Sequence, residues 1–331
     1  MKKTLISRFL AILACLGLYF KGLDVFGAEF EEVNQRTSLE VPLTLTAPTS
    51  TSRGEEQNDP GWLAIATVCV DEGSRRSPDG QKNTARDYMH HTMANHAAYA
   101  AVHGYPYFPL TSSRSELSDK DVRYHKLGWV RQLLRNYTWV FYTDCDSLFL
   151  DFCVDVGFWP RQAEQRSHDD QSTVDLIFTG DKGWSMNSGQ FIFRNTDWSR
   201  QLLSKALLEP RNTHGCVGND NAAFNWLLWR NCIITRGDFT TWWNDVSKCE
   251  EMRQRSSFAD KLGCAPLSVY TNQVDEARKR GPLFRLHFAG PQRQKKQMVD
   301  EYLQVVKQQG ECVCNHAWCT PRVNTRNVTF D

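Results

Sequence analysis

The run LAIATVCV, Leu63–Val70, is apolar over the length of a strand. A strand covered on both faces has no polar side to show, so this run predicts a central strand of a largely parallel sheet. A polar loop follows, and then TARDYMHHTMANHAAYAAVHG predicts a helix, capped by Asn83 or Thr84, rich in Ala and stopped at Gly104. YPYFPL predicts a second short strand. Ser118 and Asp121 resemble a capping box opening a helix through YHKLGWVRQLLRNY. TWVFYTD, DLIFTGD and SGQFIFRN predict three more strands, with helices at 197–208 and near 220–229. Alternating strands and helices with buried strands predict an α/β fold with a mostly parallel sheet, whose ligands gather at the carboxyl ends of the strands.

The N-terminus follows a different rule. Lys2, Lys3 and Arg8 precede the apolar run FLAILACLGLYF. Basic residues before a short apolar stretch are a secretory-pathway pattern. Two readings stand for residues 1–28: a cleaved signal peptide, or an uncleaved anchor with the positive flank in the cytosol. Residues 29–60 are rich in Ser, Thr and Pro and end in GEEQNDP. Such a stretch buries too little apolar surface to offset its ordering entropy, and reads as a disordered stem. The expected domain then runs from 61 to 310, with a Cys-containing tail over 311–331. A membrane association through the N-terminal segment follows, with a single-pass setting and a luminal domain or, after cleavage, secretion or the lumen of the endoplasmic reticulum.

Composition narrows the field further. The 331 residues carry 39 Lys and Arg against 38 Asp and Glu, a net charge of +1, which leaves no basic footprint for nucleic acid. Eleven Cys are many for a cytosolic enzyme and suit an oxidising lumen. Cys15 lies in the N-terminal apolar run, Cys69 falls in a buried strand and Cys145 among candidate site residues. Cys153, Cys216, Cys232, Cys249, Cys264, Cys312, Cys314 and Cys319 then form an even set available for disulfides. The tail CVCNHAWC also admits zinc, though its C-x-C spacing and the lumen favour pairing. Sequons stand at Asn136 and Asn327. The polar tail makes Asn327 the better glycan site, since Asn136 abuts a predicted core strand.

Strand WVFY runs into Thr143-Asp144-Cys145-Asp146. Side chains two apart in an extended chain point the same way, so Asp144 and Asp146 can present two carboxylates beyond the strand end. Hard oxygen donors suit Mn2+ or Mg2+, and such a cation can grip a diphosphate. By itself the motif is equally an Asp-rich turn. Asp119-Lys120-Asp121 shows the contrast: it lies in a polar stretch at a helix start, where acids answer the macrodipole. No G-x-G-x-x-G or P-loop is present.

The wider context carries a resemblance. YHKLGWVRQLLRNYTWVFYTDCDSLFLD resembles the donor-site region of a family of Golgi glycosyltransferases, which includes fungal α-galactosyl- and α-mannosyltransferases and plant xyloglucan xylosyltransferases. MNSGQFIFRNTDWSRQLL, GNDNAAF, LHFAG and ANHAAYAAVHGY are similar to further segments of that family, in the family order, over about residues 63 to 290. The resemblance implies the GT-A fold, a Rossmann-like, mostly parallel central sheet flanked by helices. It implies a metal-dependent transferase that retains anomeric configuration and takes a nucleotide-sugar donor, with UDP or GDP, and a glycan acceptor.

Carried over by position, the resemblance makes Asp144, Asp146 and His287 the ligands of Mn2+ or Mg2+. It places Lys126, Arg131, Asp144, Gly189 and Gly290 at the donor, with Arg293 or Lys295 as substitute for the family's diphosphate-binding Lys, which is absent at its spacing, and Asp220, Asn221 and Asn187 around the reacting sugar. Plainer readings stand beside these. His287 is one of nine His, Arg131 fits the solvated face of an amphipathic helix, and Asn-Ser-Gly suits a turn. Asp220 and Asn221 suit a helix start. Three departures from the family pattern are visible. Asn221 stands where Gln is common, Pro291-Gln292-Arg293-Gln294-Lys295-Lys296 replaces Cys-Lys-Pro-Cys, and Trp184 is one residue closer to Asn187 than in the plant members. The expected function is transfer of a hexose or pentose to a glycan hydroxyl. The alternatives are a related retaining transferase of glycogenin-like or arabinosyl type, a non-catalytic luminal nucleotide-sugar or glycan-binding protein, and a secreted metallohydrolase, which the lack of H-E-x-x-H disfavours.

Overall fold

The computed structural model describes residues 61–71, 75–76, 82–83, 86–113, 122–170, 173–180, 184–209, 218–230, 246–267, 269–270, 284–288 and 295–308. The N-terminal segment, the stem, Asp119-Lys120-Asp121, Gly290, Arg293 and the Cys-containing tail with Asn327 lie outside the described residues. All described residues belong to one compact unit, Asn58–Asp331.

The chain begins with β1 (Gly61–Asp71), followed by β2 (Arg75–Arg76) and β3 (Lys82–Asn83), which pair as a small ribbon. Next come α1 (Arg86–His103), β4 (Tyr107–Ser113), α2 (His125–Leu133), β5 (Tyr137–Thr143), β6 (Ser147–Phe149), α3 (Phe158–Asp170), β7 (Leu176–Phe178) and β8 (Gln190–Arg194). The remainder holds α4 (Asp197–Leu208), α5 (Asp220–Trp229), α6 (Val246–Gln254), β9 (Leu262–Cys264), β10 (Val269–Tyr270), β11 (Arg285–His287) and α7 (Lys295–Gln308). The main sheet has the order β4-β1-β5-β8-β7-β9. Only β8 runs against its neighbours, so the expected mostly parallel α/β sheet is the one observed.

Period-2 alternation sorts each strand between two cores. Leu63, Ile65, Trp139, Phe141 and Ile192 join one core with residues of α1, α3 and α7. Ala66, Val68, Val140, Tyr142, Phe191 and Phe193 join the other with residues of α2, α4 and α5. Helices therefore cover both faces, which is why the strands read as apolar runs. The described helices include none long and apolar enough to cross a membrane.

Helix α1 breaks the usual pattern. Its fully buried positions Thr92, Asn95, His96 and Tyr99 are polar or carry a polar tip, at the spacing of one helical face. Thr92 Oγ1 donates to Met89 O within α1, while Asn95, His96 and Tyr99 reach main-chain groups of the segment after the Asp pair. Asn95 donates to Phe149 O (3.0 Å) and accepts from Phe149 N (2.8 Å). Tyr99 OH donates to Val154 O (2.6 Å) and accepts from Val156 N (2.9 Å). His96 Nε2 lies 2.9 Å from Ser147 O, which makes it the donor and Nδ1 the acceptor from Thr67 Oγ1 at 3.0 Å. Only three residues of that segment, Ser147–Phe149, form a strand, and α1 supplies partners that sheet pairing does not.

Two sequence expectations change. Cys69 and Cys145, set apart from the disulfide-forming set, are bonded to each other, while Cys249 pairs with Cys264. A buried strand and a site loop turned out to be neighbours, which one-dimensional spacing does not reveal. Asn136, expected to be hidden by its strand, is exposed in the turn that precedes β5.

Candidate functional site

Three connections deliver the candidate residues to one place. Strand β5 ends at Thr143 and β6 begins at Ser147, leaving Asp144, Cys145 and Asp146 as the link between two sheets. Strand β11 pairs antiparallel with β6 in the register His287↔Ser147, and Phe288 N donates to Asp146 O (2.8 Å). This register carries His287 to the acids across 141 positions of sequence. Its Nε2 lies 3.2 Å from Asp146 Oδ1 and 3.6 Å from Asp144 Oδ2, and the nearest donor atoms of the three residues all fall within 4.8 Å of one another.

The second connection is β8. Thr143 pairs with Gln190, and Asp144 N donates to Gly189 O (2.7 Å), so the Asn187-Ser188-Gly189 turn flanks the first acid. Asn187 Oδ1 accepts from Gly189 N (2.7 Å), closing that turn locally. The His287 ring rests against Gly189.

The third is α5. Asn219 is its cap residue, held at φ 53°, and Asp220 and Asn221 are its first two residues. Asn tolerates this left-handed φ better than most side chains. Ser188 Oγ donates to Asp220 Oδ2 (2.5 Å), with Asn221 Oδ1 2.6 Å away, and Ser188 N donates to Asn221 Oδ1 (2.7 Å). Asn225, one turn on, accepts from Met186 N and donates to Met186 O, which fixes α5 against the same turn. The amide oxygen of Asn221 is thus engaged by Ser188.

Lys126 joins these parts. Its ammonium lies 2.6 Å from Asp220 Oδ2 and 3.1 Å from Asp144 Oδ1, and donates to Ser188 O (2.9 Å). Burial works against its charge, but Asp144 and Asp220 outweigh that and hold its pKa above the ordinary value. Tyr142 OH donates to Asp144 Oδ1 (2.7 Å), and burial followed by this carboxylate pushes the phenol well up. Arg131 lies outside this network, half-buried on the last turn of α2. Five residues along a helix turn the side chain about 140° from Lys126.

Lys295, at the start of α7, lies 2.6 Å from Asp146 Oδ2. Burial would raise the Asp146 carboxyl, yet the Lys295 ammonium and the His287 imidazole hold it well below the usual carboxylate range. Sequence reasoning named Lys126, Asp144 and Asp220, and the structure pairs them directly. Ser188, Tyr142 and Asn225 carried no signal, because their roles are hydrogen bonds between distant segments.

Two carboxylates and one imidazole with converging donor atoms form a set that suits a divalent cation. The flanking Lys126 and Lys295 supply positive charge beside these acids.

A family model described as galactosyl transferase GMA12/MNN10 family matches residues 67–237, a little over half of the chain. The chain is similar to "Probable glycosyltransferase 2" of Oryza sativa subsp. indica, with 27% identity over 245 residues, covering 62% of this chain and 50% of the rice protein. It is 28% identical over 122 residues to "Probable xyloglucan 6-xylosyltransferase 3" of Arabidopsis thaliana, covering 35% of this chain and 25% of the other. The chain thus spans half or less of the length of these relatives. Among solved structures, a glycosyltransferase involved in glycosylation of the major capsid of PBCV-1 aligns with a TM-score of 0.43 and 12% identity, over 72% of this chain and 99% of that one.

Proposed function

This chain belongs to the galactosyl transferase GMA12/MNN10 family, and on that premise we propose that it transfers a hexose or pentose from a nucleoside diphosphate sugar to a glycan hydroxyl with retention of configuration. The observation that carries the reading is the convergence of Asp144, Asp146 and His287 beside Asp220, from segments far apart in sequence.

Asp144, Asp146 and His287 would hold Mn2+ or Mg2+, which when bound supplies positive charge to the departing diphosphate. Asp220 sits on the other side of Lys126, its carboxylate fixed by an ammonium and a hydroxyl. A carboxylate so engaged is a poor nucleophile and a good anchor for sugar hydroxyls. We therefore favour attack on the face the leaving group vacates. The acceptor oxygen bonds to the anomeric carbon as the bond to the diphosphate oxygen breaks, and the acceptor's proton passes to that departing oxygen. Asn187 and Gly189 would line the sugar, and Lys295 would meet phosphate. The two disulfides among the described residues support an oxidising compartment, consistent with the membrane-anchored setting read from the N-terminus and the Golgi setting the family resemblance implies.

The test is a panel of UDP- and GDP-sugars assayed for Mn2+-dependent hydrolysis, with Asp146→Asn as the comparison. The variant should lose metal-dependent turnover while keeping its circular dichroism spectrum. Unchanged activity would remove the metal role, and a glycosyl group trapped on Asp220 would replace same-face attack by a covalent route.

A further inference from the structure

Cys145 stands between the two acids of the candidate metal site, and its sulfur is bonded to Cys69 of β1. The topology explains how they meet. Strand β1 pairs with β5 as far as Ala66↔Tyr142, then continues along β4 alone, with Cys69 opposite Thr111. Beyond Ala66 no strand of the described residues pairs with β1 on its β5 side, and Cys145 of the Asp144–Asp146 link is bonded there. The two α-carbons are 5.1 Å apart, and the bond closes 76 positions of chain.

The other restraints on the link act elsewhere. Asp144 N is held by Gly189 O, Ser147 Oγ donates to Asp144 O (2.5 Å), and Asp146 O accepts from Phe288 N. Toward β1, beside the cystine, Thr92 Oγ1 lies 3.8 Å from Cys145 Sγ, too weak a contact to hold a loop. The acid side chains meet Lys126, Tyr142, Lys295 and His287 at their tips, so toward β1 the cystine is the restraint on the main chain that spaces them.

We infer that the Cys69–Cys145 cystine is a positioning bridge that keeps Asp144 and Asp146 converged for a divalent cation. This inference rests on the reading of Asp144, Asp146 and His287 as the metal ligands. A second cystine provides the control. Cys249–Cys264 joins α6 to β9, the strand at one edge of the main sheet, and touches none of the metal-site residues. Both bonds restrain the unfolded chain; only one restrains the site.

The experiment compares the oxidised wild-type chain, C69A/C145A and C249A/C264A. Free Mn2+ is titrated in without donor and followed by electron paramagnetic resonance, and thermal unfolding is recorded in parallel. Both double variants should melt earlier. C69A/C145A should bind Mn2+ about tenfold more weakly or worse, the range for loss of a group that orients metal ligands, with C249A/C264A unchanged. Equal affinity in wild type and C69A/C145A overturns the inference and leaves the metal reading standing. A wild-type chain that binds no Mn2+ overturns both. Should C69A/C145A fail to fold, folded C249A/C264A treated with a water-soluble phosphine gives the same readout. Phosphine is kept limiting, because Cys153 is also disulfide-bonded. It takes oxygen from water and the two sulfurs leave as thiols, so Mn2+ affinity should fall; an unchanged affinity, with Cys69 and Cys145 identified by alkylation as the thiols formed, overturns the inference.

Discussion

The imidazole of His287 packs so tightly on Gly189 that a methyl group added at Gly189 would stand 2.3 Å from its Cε1. No real side chain tolerates that approach, so residue 189 controls where the third candidate ligand sits. Gly189→Ala should displace the ring and abolish Mn2+-dependent donor hydrolysis. Far-ultraviolet circular dichroism should remain that of wild type. Full activity in the variant would show that the ring position is immaterial.

Lys126 predicts a stability effect that outruns any single hydrogen bond. It is buried between Asp144 and Asp220, the latter 2% exposed. Removing the cation leaves buried negative charge without compensation, a loss of about 3 kcal/mol or more. Lys126→Met should therefore lower the urea midpoint strongly. Lys126→Met with Asp220→Asn should lose less than the sum of the single variants, because the second change removes the stranded charge. Additive losses would show that the pair is not coupled.

His96 predicts the acid limb of stability. Burial first, and the Arg285 charge second, bring its imidazole from 6.5 down to about 3. Between those values the unfolded chain takes up a proton that the folded chain refuses. The contribution is complete above pH 6.5 and is lost as pH falls toward 3. Between pH 6.5 and 5 this group alone removes about 2 kcal/mol. Urea unfolding at the two pH values should show that fall in wild type and a flatter dependence in His96→Gln. Parallel slopes would contradict the assignment.

Strand existence was legible wherever a segment is covered on both faces: the apolar runs around 63–70 and 139–142 coincide with β1 and β5. Helix α4 was legible to the residue, because Thr196 caps it through its side chain and the period is clear. The single reversed strand, β8, was not, since alternation along a buried strand carries no direction. Strands β6 and β11 are three residues each, too short for periodicity, yet their register is what delivers His287 to the acids. The acids, the His and Lys126 were found by motif and order. Their coupling through Ser188, Tyr142 and the Cys69–Cys145 bond exists only in three dimensions.

Helix α1 holds the stretch after the acids by carbonyls and amides, through Asn95, His96 and Tyr99. Such a hold is blind to the identity of the residues it grips. The stretch from Ser147 to Val156 can change its own side chains, within the limits of core volume, without loosening its anchorage. The converse does not hold: an apolar replacement at Asn95, tidy by hydropathy, would strand two main-chain groups of Phe149. Evolvability in this part of the molecule is therefore lopsided, generous to the strand and strict to the helix.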